Sequence, residues 1–192
     1  MDDALNRIYV AASRRSKLWV FDADIAGCFD NIAHEPLIKK LEGFPAKDII
    51  WKWLKAGVMV DGVFEESTGT PQGGILSPLL CNIVLDGMQS EIKIKDRKES
   101  KDRTFVRYAD DFVVLCTSYE DAVHVKELVK EALKNRGLEL SEKKCRISHL
   151  IEGFDFLGFT IRVEPFLILK DGYNLKDIAI PYIINENTIF FL

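Results

Sequence analysis

The chain has 192 residues, 47% hydrophobic and 29% charged, a balance that suits one globular domain or one domain with an appendage. Its net charge is −4. Phosphate neutralisation by Lys and Arg supplies most nucleic-acid affinity, so this balance argues against a tight, free-standing RNA- or DNA-binding module.

Residues 1–15 read as a short helix with a basic end, Arg14-Arg15. Residues 17–24 alternate and are rich in β-formers, which predicts a strand with Leu18, Val20, Asp22 and Asp24 on one face. Helices are expected over 34–43 and 46–56, the second carrying Ile49, Ile50, Trp53 and Leu54 at helical spacing. Val58 to Ser67 resembles a hairpin turning at Asp61-Gly62. A Gly/Pro-rich loop, Gly69 to Gly74, opens a helix from about Pro78 to Ile94. The charged run 95–103 reads as a solvated loop, and short strands at 105–108 and 112–116 flank Asp110-Asp111. An amphipathic helix spans 119–136, with Val125, Leu128, Val129, Ala132 and Leu133 on one stripe and Gly137 as its stop. Short strands follow near 146–149 and 156–162, and the last thirty or so residues are apolar and β-prone. Hairpins mixed with helices, without βαβ repeats, predict an α+β fold with an antiparallel sheet backed by helices.

No C-x-x-C pair occurs among the four cysteines (Cys28, Cys81, Cys116, Cys145), and His34, His124 and His149 add no ligand spacing, which argues against structural zinc. Buried free thiols and a reducing, cytoplasmic compartment are the expectation. Met1-Asp2-Asp3-Ala4 is unlike a signal peptide, and no stretch reaches membrane-spanning length, so no membrane partner is expected.

Three constellations carry chemistry. Tyr108-Ala109-Asp110-Asp111 would present adjacent carboxylates at a hairpin turn. Side-by-side carboxylates repel, and a hard cation keeps both ionised; two solvated turn aspartates are the plainer reading. Asp24 ends an apolar strand in Phe21 to Asp30 and could meet that turn across a neighbouring strand. Three such carboxylates can hold two metals about 3.5–4 Å apart for in-line displacement at phosphorus. Alternatively, Asp24 caps the turn into the next element. Gly69-Thr70-Pro71-Gln72-Gly73-Gly74-Ile75-Leu76-Ser77-Pro78 combines exposed backbone N–H groups with the bifunctional amide of Gln72. A turn plus Ser77 as N-cap, with Pro78 at the first helical position, explains much of it, though not a glutamine between Pro and Gly-Gly.

Together these residues resemble reverse transcriptase motifs A through E in order: Asp24 to Ile32, Gly69 to Pro78, Tyr108 to Asp111, Gly137-Leu138-Glu139-Leu140-Ser141-Glu142-Lys143-Lys144, and Gly153 to Phe159. The wording is closest to the group II intron maturase branch. The resemblance implies a polymerase palm over 1–162, motifs A to E, followed by a β-prone tail, 163–192, of unassigned role. It implies an RNA-directed DNA polymerase that transfers a nucleotide from a dNTP to a primer 3′-hydroxyl.

Residue by residue, the resemblance assigns Asp24, Asp110 and Asp111 to two Mg2+ ions, with Mn2+ as a substitute. The carbonyl of Ile25 would be a backbone ligand, and Ala26, Gly27, Cys28 and Phe29 would lie under the triphosphate. Phe29 matches the steric-gate aromatic that selects deoxyribose; a Phe packed beneath the loop fits its position equally well. Gln72 and Gly73 match the motif B nucleotide contacts. Lys144 matches the motif D lysine that serves the leaving pyrophosphate, beside an ordinary Lys143. Phe156-Leu157-Gly158 resembles the primer-grip turn. Asp30 and Asn31 read as caps of the helix starting near Ile32, Asp22 as solvated or salt-bridged, His34 and His149 as structural hydrogen-bonders, and Trp51 and Trp53 as packing residues.

The fingers motifs that should precede motif A and the basic thumb that should follow motif E are not recognisable. The expectation is therefore a palm fragment. Its partners would be an RNA template and DNA primer, dNTPs, intron RNA, and a second copy through surface that fingers or thumb would cover. The competing expectation is a truncated, inactive palm that serves as an RNA-binding or interaction module. A palm-fold cyclase shares the carboxylate plan but lacks the Gly69 to Gly74 loop.

Overall fold

The computed structural model describes residues 2–13, 16–60, 63–65, 69–70, 75–92, 103–168, 175–185 and 188–190. Helix α1 (Asp2–Ser13) leads into β1 (Trp19–Ala23), followed by α2 (His34–Lys40) and α3 (Lys47–Lys55). β2 (Val58–Val60) and β3 (Val63–Glu65) pair as the expected hairpin; Asp61-Gly62 lies outside the described residues. Then come α4 (Ser77–Leu85), α5 (Met88–Glu91), β4 (Arg103–Tyr108), β5 (Asp111–Cys116) and α6 (Tyr119–Lys134). β6 (Arg146–His149), β7 (Phe154–Phe156), β8 (Phe159–Ile168), β9 (Leu175–Asn185) and β10 (Thr188–Phe190) follow.

Two antiparallel sheets organise these elements, one ordered β4-β5-β1-β6 and the other β10-β9-β8-β7. The first is covered on both faces. Phe21, Ala23, Phe112, Val114 and Cys116 point into a core shared with α2 to α6. Val20, Val106, Val113 and Leu115 point the other way, against α1 and β7–β8 residues such as Phe154, Phe156 and Ile161. This explains why Phe112 to Cys116 is an unbroken apolar run: both faces of β5 are buried, so the usual alternation disappears. β1 is buried on both faces at Val20 and Phe21 and alternates only from there, with Asp22 and Asp24 half-buried on the second face.

α6 forms where its stripe predicts. Ser118 caps it by accepting the Asp121 amide at 3.1 Å, and Asp121 also pairs with Arg103 at 2.6 Å. Gly137 ends the following turn with φ +72, where a Cβ would strike Ala33 at 2.5 Å.

Several expectations need correction. The single helix over 78–94 is two helices. Asp86 turns extended (ψ 144) and Gly87 takes φ 76. The carbonyls freed by this break have partners: Arg136 donates to Val84 O at 2.8 Å and to Asp86 O at 3.2 Å, and Lys40 also reaches Asp86 O. Ser77 is the first helical residue rather than the cap, and its side chain is buried. The strand near 156–162 is a hairpin of β7 and β8, with Leu157 and Gly158 at φ 53 and 78 in its two-residue turn. β8 continues past residue 162 and pairs with β9. Trp53 is exposed, while Trp51 is half-buried against His34.

Arg136 is only 3% exposed and also forms a double contact with Glu91, at 2.6 and 2.7 Å. Its guanidinium holds the Glu91 carboxyl below its ordinary value of 4.5. A depressed carboxylate stabilises the fold above its unfolded pKa, and that stabilisation is lost as pH falls through the folded value. Arg136→Ala should therefore cost about 3 kcal/mol in denaturant unfolding, by stranding several carbonyls at once. Glu91→Gln should flatten the loss of stability below pH 4.5. At the β4–β5 turn, Ala109 has φ 54, which a non-glycine residue adopts at a cost. Unfolding measurements should find Ala109→Gly neutral or stabilising and Ala109→Val destabilising by about 1–2 kcal/mol.

Candidate active site

The site begins with strand register. β1 and β5 pair as far as Ala23 opposite Phe112, so the next residues along the two strands, Asp24 and Asp111, face each other where the ladder ends. β4 and β5 close with Tyr108 opposite Asp111, leaving Ala109-Asp110 as the turn. Residues distant in sequence thus meet at one end of the sheet through strand register.

Asp24 is held on its other side by the segment after α6. Ser141 N donates to Asp24 O at 2.8 Å, and Asp24 N donates to Cys145 Sγ at 3.4 Å. Ile25 bridges to Leu140, and Ala26 N donates to Glu139 O at 2.9 Å. This ladder brings Lys144 to the carboxylates, with its Nζ 3.2 Å from Asp24 Oδ2. Asp24, Asp110, Asp111 and Lys144 are therefore neighbours.

The electrostatics follow. Burial, then the charges of Asp110 and Asp24, push the Asp111 carboxyl up, with Lys144 opposing. Asp22 shares their face. Burial, with Asp111 next, raises it to about 6, and Arg146 pulls the other way. Asp22 is half-buried with no ion pair among those described, unlike the solvated or salt-bridged aspartate expected. Carboxylate oxygens crowded at one strand end, with Asp111 raised by its neighbours, are the donor chemistry of a hard divalent cation. Among the described residues, however, no group of three or more His, Cys, Asp or Glu side chains is arranged to hold a metal ion.

The loop after Asp24 is tightly closed. Gly27 takes φ 49, Asn31 N donates to Gly27 O at 3.0 Å, and Asn31 Nδ2 donates to Ala26 O at 3.0 Å. Asn31 thus closes the Ala26 to Phe29 loop rather than capping a helix; α2 starts after Ala33 and has no side-chain cap. Cys28 is buried, with Sγ 3.4 Å from Cys81 Sγ on α4. The hydrogen bond to Cys81, then burial, hold the Cys28 thiol protonated. Phe29 is half-buried against the main core. Gln72 and Gly73 lie outside the described residues; the loop entrance, Gly69-Thr70, meets the Phe29 backbone, with Thr70 N donating to Phe29 O at 2.7 Å.

Sequence reasoning missed the brace behind the Asp110 turn. Arg107 Nη1 donates to Ala109 O at 2.7 Å and to Asn82 Oδ1 on α4 at 2.6 Å. It therefore holds the left-handed Ala109 and ties the turn to α4. No spacing rule links Asn82 to Arg107, so nothing in the sequence announces the pair.

Comparison with known proteins gives the family of the chain. A family model described as reverse transcriptase (RNA-dependent DNA polymerase) matches residues 3–161. The group II intron-encoded protein LtrA of Lactococcus lactis subsp. cremoris is 32% identical over 82% of this chain, and protein YkfC of Escherichia coli is 30% identical over 73%. The chain spans 37% and 46% of their respective lengths. Among solved structures, apo telomerase from Candida tropicalis, truncated from its C-terminal domain, superposes over 84% of this chain and 37% of that one. The TM-score is 0.63 at 17% identity, a likeness of fold that supports the α+β palm. The chain belongs to the reverse transcriptase (RNA-dependent DNA polymerase) family, on the branch of group II intron-encoded proteins.

Proposed function

We propose that this chain is the catalytic palm of an RNA-directed DNA polymerase that transfers a nucleotide from a dNTP to a primer 3′-hydroxyl. The observation that carries the reading is the β1–β5 register, which sets Asp24 beside Asp110-Asp111. In this reading Asp24, Asp110 and Asp111, with the Ile25 carbonyl, hold two magnesium ions, manganese being a substitute. Such ions activate the attacking hydroxyl and offset charge on the α-phosphate. The Ala26 to Phe29 backbone lies beneath the triphosphate, its turn closed by Asn31 and Gly27. Phe29 excludes a ribose 2′-hydroxyl, Gln72 and Gly73 meet the nucleotide, and Lys144 offers a proton to the leaving pyrophosphate.

The partners proposed are an RNA template, a DNA primer and intron RNA. The exposed Phe44, Ile49 and Trp53, on α3 and just before it, suit a surface that a second copy covers. Cys28, Cys81, Cys116 and Cys145 are all free thiols, which agrees with a cytoplasmic setting. No helix among the described residues is long and apolar enough to cross a membrane.

Primer extension on an RNA template tests the reading. Wild type should extend in magnesium and stop on chelation, and Asp110→Asn should fall by at least about a hundredfold. No extension by wild type, with RNA retention unaffected by Asp110→Asn, would favour an interaction module instead. A second measurement avoids turnover altogether. A ligand that binds only the native state raises its stability by mass action. Magnesium or manganese should therefore raise the melting temperature of wild type and leave that of the Asp24→Asn/Asp110→Asn double variant unchanged.

A further inference from the structure

Phe29 is anchored through its backbone. Its carbonyl accepts two hydrogen bonds from Thr70, one from the amide at 2.7 Å and one from the hydroxyl at 3.3 Å. Thr70 is 1% exposed, so little water competes for either bond. The approach is closer than a side chain allows: a Cβ on Gly69 would lie 2.2 Å from Phe29 O and 2.3 Å from the Asp30 carbonyl carbon. Gly69 O is met in turn by His34 Nε2 at 2.8 Å. The His34 ring stands edge-on to Trp51, with centroids 6.4 Å apart, which fixes its plane.

These contacts join three segments. The loop carrying Phe29, the entrance to the Gly69 to Gly74 loop and the first residue of α2 behave as one block. His34 grips the carbonyl of Gly69, Gly69 lies against the Phe29 and Asp30 carbonyls, and Thr70 holds the Phe29 oxygen. The Phe29 Cα cannot retreat without breaking the Thr70 bonds.

We infer that Thr70 and His34 are positioning residues that set the depth of the Phe29 ring and thereby the choice between deoxyribose and ribose in the incoming nucleotide. The inference rests on the proposed role of Phe29 as the sugar gate. A steric gate works by repulsion, which changes steeply over tenths of an ångström. An apolar surface also rejects an added hydroxyl by only about a hundredfold at best, so small displacements of the ring spend most of the discrimination. A gate of this kind needs a rigid mount, and the backbone of Phe29 has one. Neither Thr70 nor His34 touches the nucleotide in this reading. Both act through the position of the loop.

The test compares dATP and ATP incorporation by wild type, Thr70→Val, His34→Ala, His34→Gln, the Thr70→Val/His34→Ala double variant and Phe29→Val. The double variant should lose roughly tenfold in dATP-over-ATP selectivity, chiefly through a lower KM for ATP, with kcat for dATP little changed. Thr70→Val keeps the amide bond, and with it the fold, and should lose about threefold. His34→Gln, whose amide can still donate to Gly69 O, should recover selectivity that His34→Ala loses. A general loss of structure would instead lower kcat for both substrates alike. If Phe29→Val relaxes selectivity while folded Thr70→Val and His34→Ala proteins keep the wild-type ratio, the positioning role is wrong and the gate stands. If Phe29→Val leaves the ratio unchanged, the gate reading is wrong and the inference goes with it.

Discussion

Three carboxylates brought to one end of a sheet repel, and the energy that holds them there comes from elsewhere. It comes from the ladder between β1 and β5, whose flanking residues fill two hydrophobic cores, one on each face. Sliding this pairing by one residue would turn Phe21 and Ala23 out of one core and Val20 out of the other, so the register resists the repulsion it creates. Asp111 bears the result. Its carboxyl is raised by burial and by the two acidic neighbours that the register supplies. The fold thus stores unfavourable electrostatics at a place where a cation would relieve it.

A second constraint keeps the two acid-bearing segments in step. α4 contacts both of them through consecutive residues: Cys81 packs its sulfur on Cys28 in the loop after Asp24, and Asn82 receives Arg107, which fixes the turn before Asp110. Because neighbours on a helix point in different directions, one helix can brace two walls of a site. The end of α4 is in turn pinned by Arg136 through Val84 O and Asp86 O. A helix so held transmits little slack, and the loop it follows begins at Gly69-Thr70, which lies on the Phe29 peptide. The walls of the pocket share a frame.

Where local pattern and tertiary demand agreed, the sequence was legible. The alternation around Asp22 and Asp24, the hairpin that carries Asp110 and Asp111 (its turn one residue earlier than expected, at Ala109-Asp110) and the stripe of α6 each follow from local pattern. The errors arose where a distant group intervened. Nothing near Asp86 says that the helix breaks there, because the partners that satisfy its freed carbonyl, Arg136 and Lys40, come from other elements. Asn31 looked like a cap because short polar side chains bond nearby backbone. It does so, but backwards, onto Ala26 O. Trp53 fits a helical stripe by spacing, yet the side it occupies faces solvent. Arg107 and Asn82 were invisible because a side-chain pair across two elements leaves no period in the sequence.

Lys144 shows how the site can be both settled and ready to change. Its ammonium, 3.2 Å from Asp24 Oδ2, partly offsets the carboxylates, but its side chain is 70% exposed and that of Asp24 is 32% exposed. A pair this wet is worth at most about 1 kcal/mol, so it is a weak restraint on either partner. The Asp24 backbone, by contrast, is held at both its amide and its carbonyl, by Cys145 and Ser141, one residue past the end of the β5 ladder. The backbone that carries the carboxylate is therefore fixed while its counter-ion is loose. A divalent cation could displace the ammonium with little cost to the fold, and the displaced Lys144 would stay within reach of the same cleft because residues 139–145 are laddered to residues 24–26. On the polymerase reading such a division would suit the chemistry: an acid mounted on a fixed backbone, and a cation free to move.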